Sequence, residues 1–212
     1  MKINYQIIII STLWISVISG MNAARRLNKA DPTCIAYVEA IRNKRENDAI
    51  KVINAGFPPN AEIDGVYGNA LEFACREGMD QVAEALLARG ATLRHSFKLH
   101  DVVKHPFVVN LLLKEKLVDP NAVKNTYNCE PPLADAIDGN HVATVRVLLM
   151  HGANPNQLFH RDTQLLSPLA FAKAKAHRSI IALLKNAQDI KRETGISEFD
   201  RIRNDQYPGT FD

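Results

Sequence analysis

The chain lacks the residue patterns that announce a reaction centre. It has no glycine-rich phosphate loop, no G-x-S-x-G, no H-E-x-x-H and no pair of carboxylates that spacing alone brings beside a base. Phosphoryl transfer, acyl transfer at a serine elbow and zinc proteolysis are therefore not indicated. Cysteine is scarce: Cys34, Cys75 and Cys129 are odd in number and form no C-x-x-C, so they read as free thiols. Charge of one sign is also lacking. Lys and Arg number 26 against 23 Asp and Glu, a formal net charge of +3, with no basic block; such a balance does not argue for nucleic acid. His95, His100 and His105 are evenly spaced, but five residues on a helix turn by about 500°, which points neighbours about 140° apart and away from a shared metal. No cofactor is implied.

What the chain has is 212 residues, 46% of them hydrophobic, enough for an ample core, and a recurring helix pair. In the stretch 131–156, Pro131 and Pro132 suit a helix start, where a missing N–H costs nothing. Leu133, Ala136 and Ile137 then share one face at i, i+3, i+4. Asn140 tolerates a left-handed turn, His141 opens a second helix with Val145, Leu148 and Leu149 on one face, and Gly152 stops it. Two short helices cannot bury these faces against each other alone.

Diverged copies of the unit supply the missing burial. Leu71, Ala74, Leu86, Leu87 and Gly90 each precede Leu133, Ala136, Leu148, Leu149 and Gly152 by 62 residues, about two repeats of a helix-pair array. Leu169, Ala172, Leu183 and Leu184 form a copy after it, and Ala40, Ile53 and Gly56 one at the front. Leu112 and Leu113 mark a weak third copy, whose first helix is expected over roughly Ser96 to Lys104. The step from Leu87 to Leu113 is only 26 residues, so the third unit must be shortened. The steps from Leu113 to Leu149 and from Leu133 to Leu169 are 36 residues. Against a unit of about 33, the second of these predicts extra residues looping out at Phe159, His160 and Arg161, clear of the helix stack.

These motifs resemble the ankyrin repeat family. Its threonine-proline-leucine-histidine-x-alanine signature is matched in part by Ser167-Pro168-Leu169-Ala170-Phe171-Ala172 and by Pro131-Pro132-Leu133-Ala134-Asp135-Ala136. Its glycine-histidine turn is matched by Gly78-Met79, Asn140-His141 and Ala176-His177, and its exit by Gly152-Ala153-Asn154-Pro155-Asn156. Asp64 and Asp162 stand where the family opens a hairpin. The tryptophan-leucine-glycine-tyrosine pattern of tetratricopeptide repeats is absent. The resemblance covers about residues 31–190 and implies an all-α, ankyrin-type solenoid of about five stacked helix-turn-helix repeats joined by hairpin loops. It also implies turn histidines bonded to neighbouring backbone, and a non-catalytic scaffold that holds a protein partner as a monomer.

Residues 1–24 differ in kind. Lys2 precedes an uncharged run from Ile7 to Ala24, which reads either as a cleaved signal peptide, giving a secreted or periplasmic protein, or as an uncut membrane anchor. Arg25, Arg26 and Lys29 follow it; in the anchored case the positive-inside rule keeps the repeats in the cytoplasm. The membrane is touched through this run alone. Residues 191–212 carry Ile196, Phe199 and Ile202 and read as a terminal cap or a tail.

The expected binding surface follows from repeat geometry. Residues just before each inter-helix turn face the concave side, which selects Arg42, Asn43, Arg76, Glu77, Asp138 and Lys175. Hairpin tips add Tyr127, Asn128 and Glu130, with Phe159, His160 and Arg161 projecting beyond them. Tyr and Arg are enriched among binding hot spots, which ranks Tyr127, Arg76 and Arg161 first.

Overall fold

The computed structural model describes residues 26–27, 31–63, 65–124, 129–161 and 163–194. Tyr127, Asn128, Asp64, Asp162, the apolar run before Arg25 and the segment after Thr194 lie outside the described residues. Two compact units divide at Phe97 and Lys98.

The first unit opens with β1 (Arg26–Leu27), followed by α1 (Pro32–Arg42), α2 (Glu46–Asn54), β2 (Glu62–Ile63), α3 (Ala70–Arg76) and α4 (Asp80–Ala88). α1 starts as the sequence requires: Asp31 caps it by accepting from the Thr33 and Cys34 N–H groups, and Pro32 fills the first position. α1 packs on α2, α3 on α4, and α2 on α4. β1 lies parallel to β2, Arg26 opposite Glu62. The buried aromatics of this unit are Tyr37, Phe57 and Phe97, the first two stacked at 4.6 Å. Tyr37 is fully buried and its hydroxyl donates to the Ala70 carbonyl at 2.8 Å. Burial, and then the neighbouring Cys75, push its phenol well above its usual range. Tyr37→Phe should cost about 0.5–1.5 kcal/mol, the net worth of one buried hydrogen bond, because the Ala70 carbonyl keeps its bond within the helix; denaturant unfolding measures it.

The second unit has a 3-10 helix (Leu99–Val102), then α5 (Pro106–Lys114), α6 (Pro132–Asp138), α7 (Val142–Met150), the antiparallel hairpin of β3 (Phe159–Arg161) and β4 (Gln164–Leu166), α8 (Pro168–Ala174) and α9 (Arg178–Thr194). α6 pairs with α7 and α8 with α9; α5, α7 and α9 lie side by side in one layer, and α6 packs on α8 in the other. The first helix expected over about Ser96 to Lys104 is corrected to that single 3-10 turn. The short 26-residue step leaves no length for more, and only Leu99, His100 and Val102 of it are buried.

Two repeated devices join the pairs. The turn between helices is left-handed at Lys44, Gly78, Asn140 and Ala176, with φ from 53° to 73°. The exit after the second helix is left-handed too, as at Gly152, φ 85°. An added Cβ there would meet nothing within 4 Å, so the backbone angle, and not space, is what asks for glycine. Asparagine side chains then tie each exit to the next. Asn60 donates to the Gly90 carbonyl and accepts from the Thr92 N–H; 61 residues on, Asn121 donates to Gly152 and accepts from Asn154. Each carboxamide thereby satisfies backbone groups that no helix can reach.

The histidines are structural in different ways from the one expected. His177 Nε2 is buried without a hydrogen-bond partner, and the His141 ring lies against Gly139, so the backbone bond implied for the turn position is missing at His177 Nε2. The bond to a neighbouring backbone comes instead from His100, whose Nε2 lies 3.0 Å from the Glu130 carbonyl.

Candidate interaction surface

In the first unit the inner side is organised by Glu72, a carboxylate with no solvent exposure. An acid so buried must be paired, because a bare buried charge is far too costly. Arg94 supplies the pair: its Nε lies 3.1 Å from both oxygens, its Nη2 3.0 Å from one, and its own backbone N–H donates at 2.8 Å. Arg76, one turn along α3, adds an ion pair at 3.7 Å. The Arg76 guanidinium also donates to the Tyr67 carbonyl and sits 4.7 Å over the Tyr67 ring and 5.6 Å from Phe97. Tyr67 is 71% exposed. It is thus an aromatic side chain displayed to solvent while its backbone is held from below.

Gly68 makes this geometry available. Its φ is +100°, and a Cβ there would overlap the Glu72 carboxylate and crowd Arg76. Around the same side, Lys44 bridges to Glu77 at 2.7 Å. Arg42 and Asn43 are exposed at the end of α1. Arg42 also borders a groove of about 300 Å³ over Cys34, Ile35, Val38 and Ile63.

In the second unit Arg161 is the hub. It lies 2.8 Å from Glu130, 3.3 Å from Asp138 and 3.9 Å from Asp135. Lys175 closes on Asp138 at 2.6 Å, and Lys124 on Asp135 at 3.8 Å. Both Arg161 and Lys175 stand over the Phe171 ring, at 5.0 and 5.5 Å. Three cations thus face three carboxylates above one aromatic floor. The hydrogen bond from Lys175, and then Arg161, hold the Asp138 carboxyl below its ordinary value of 3.8. A lowered folded-state value means that this contribution to stability is present above the unfolded value and is lost as pH falls through the folded one. In acid titrations followed by circular dichroism, the stability gap between the natural protein and Asp138→Asn should therefore narrow below about pH 4.

Several expected site residues are repositioned. Phe159 does not project: it is fully buried, edge-on to Phe171 at 5.6 Å. Residues 159–161 are a paired strand, and the alternation of a strand sends Phe159 and Arg161 inward and His160 outward. Glu130 is buried beneath Arg161 and is not a free tip residue. Arg161 keeps 29% exposure and Asp138 35%, while Lys175 and His160 are exposed. Glu130, Asp138, Arg161 and Lys175, taken from four separate stretches of the chain, meet in one cluster. Tyr67, Glu72, Arg94 and Asp135 were missed. Tyr67 precedes Gly68-Asn69 just as Tyr127 precedes Asn128, so the same hairpin-tip signal was present in the sequence.

Among the described residues no three His, Cys, Asp or Glu are grouped to hold a metal, and no helix is long and apolar enough to cross a membrane. None of the three cysteines is in a disulfide, Cys129 is exposed, and burial pushes the Cys75 thiol up to about 12. Such a thiol is protonated and inert. Residues 130–158 match the family model of the ankyrin repeat. No curated protein matches the chain.

Proposed function

We propose that this ankyrin-repeat protein is a non-catalytic scaffold that holds a protein partner on the side formed by its first helices and hairpin loops. An ankyrin repeat itself points to protein–protein interaction. The observation that carries the placement is Tyr67, 71% exposed and restrained by Arg76. Exposed aromatic side chains held rigid lose little entropy on binding, which is why they serve as anchors. In the first unit Arg42, Asn43 and Glu77 are further candidates; in the second unit the charged cluster on Phe171 offers Asp138, Arg161 and Lys175, with the exposed His160, and Tyr127 and Asn128 remain candidates from the sequence.

Tyr67→Ala tests the reading. A partner captured by the full-length chain should bind the variant at least about tenfold more weakly, while unfolding free energy changes by less than about 1 kcal/mol, as expected of a surface site. Equal affinity would contradict the placement. Residues 7–24 support export of the scaffold, with membrane tethering as the alternative. A mature N-terminus between Met21 and Arg25 is the expected result of N-terminal sequencing; intact chain retained in carbonate-washed membranes would favour tethering.

A further inference from the structure

The last helix pair leaves one of its sides without a neighbour. Among the described residues α8 and α9 pack on each other and back onto α6 and α7. The preceding pair shows what a neighbour covers, because its positions recur 36 residues later. Ala136 and Ala172 are both buried, as are Leu148 and Leu184, and Thr144 and Ile180. The two pairs are therefore built alike at these positions. Elsewhere they differ. Leu133, Ala134, Ile137 and Val145 are at most 1% exposed, whereas their counterparts Leu169 and Ile181 are half-buried, and Ala170 and Lys173 are exposed. The cover that α8 and α9 give to α6 and α7 is the cover that they themselves lack. Lys173 in place of Ile137 suits the open end of an array. Leu169, Ala170 and Ile181 do not, since they keep the apolar character of positions that gain from being covered.

α9 also ends differently from α7. The latter is 9 residues long and stops just before Gly152, whose φ of 85° turns the chain out to the β3–β4 hairpin. α9 is 17 residues long and has Gln188 at the position equivalent to Gly152. Gln188 donates to the Pro155 carbonyl at 3.4 Å and to Asn156 Oδ1 at 2.8 Å, and Ala187 is buried. The helix is thereby held past the point where α7 gives way. Residues 195–212 follow it, and at up to about 3.3 Å per residue they are long enough to return along the whole of α9, about 26 Å. They carry Ile196, Phe199 and Ile202 at steps of three. Glu198 and Arg201, and Asp200 and Arg203, are also three apart, so on a helix these charges can pair among themselves and leave the apolar stripe as the feature that binds.

We infer that residues 195–212 fold back as a cap over the uncovered side of α8 and α9, with Ile196, Phe199 and Ile202 against Leu169, Ala170 and Ile181. Connectivity selects the occupant. The segment leaves from the last turn of the helix that it covers, which sets its effective concentration on the order of millimolar, and a second copy or a separate protein has to displace it. Copies of the chain consequently do not stack end to end through their last pairs. The inference is independent of the partner reading around Tyr67, which belongs to the first unit.

The test uses the full-length chain. Ile196→Asp combined with Phe199→Asp should speed native-state hydrogen exchange in α8 and in residues 178–186 at least about tenfold, and leave α1 to α4 unchanged. A spin label on Ser197→Cys, with Cys129→Ser to remove the exposed thiol, should broaden the amide signals of Leu169, Ala170 and Ile181, and the two aspartates should abolish that broadening. Unchanged exchange in the aspartate variant, or no broadening from the label, would overturn the proposal. So would equal broadening in a mixture of spin-labelled chain with separate, isotope-enriched chain; that result would make a second copy the occupant.

Discussion

Leu148→Ala is expected to lower the unfolding free energy of the second unit by about 2–5 kcal/mol. Leu148 has no solvent exposure and lies on the face of α7 that meets α6, α5 and α9. Truncation removes its transfer free energy and leaves a cavity that helices packed on several sides cannot close by collapsing. Leu149, at 7% exposure, should cost less. Urea unfolding of both variants checks the order: a smaller loss at Leu148 than at Leu149 would mean that α7 is rotated relative to its neighbours.

Glu72→Ala should be the next most damaging change, at about 2–3 kcal/mol. Breaking a fully buried ion pair costs about 3–5 kcal/mol, but the head groups left behind here can rehydrate in part, since the Arg94 side chain is 36% exposed and Arg76 19%. The orphaned Arg94 N–H adds its own penalty. The substitution also withdraws the anchor beneath Arg76, so Tyr67 should become more mobile, visible as a loss of ring order by NMR relaxation. Gly68→Ala attacks the same cluster from the backbone through its +100° φ and its overlap with Glu72. If both variants melt like the natural protein, the Glu72 cluster is a surface ornament and Tyr67 is not preorganised.

Much of the helix stacking could be read from the chain because it depends on local and periodic signals. Pro132, Asn140 and Gly152 mark a start, a turn and a stop, and each holds that role in the structure. The shortening of the third pair followed from counting residues between Leu87 and Leu113. What periodicity could not convey was the content of the loops. Phe159 looked like a surplus aromatic until strand pairing with Leu166 turned it inward. Glu72 carried no signal of burial or pairing, because its partner Arg94 stands 22 residues away in a stretch without a pattern. The charged cluster around Arg161 was legible as a list of residues but not as a site, since its members meet only through tertiary packing.

The central claim is that neighbouring helix pairs stabilise one another, so a pair with a defective first helix must be the weakest of its unit. Native-state hydrogen exchange measures this directly. The amides of residues 99–104, held by one 3-10 turn, should exchange before those of residues 132–150, where α6 and α7 are covered by packed helices on both sides. Exchange in the reverse order, or at one common rate for both segments, would contradict the account.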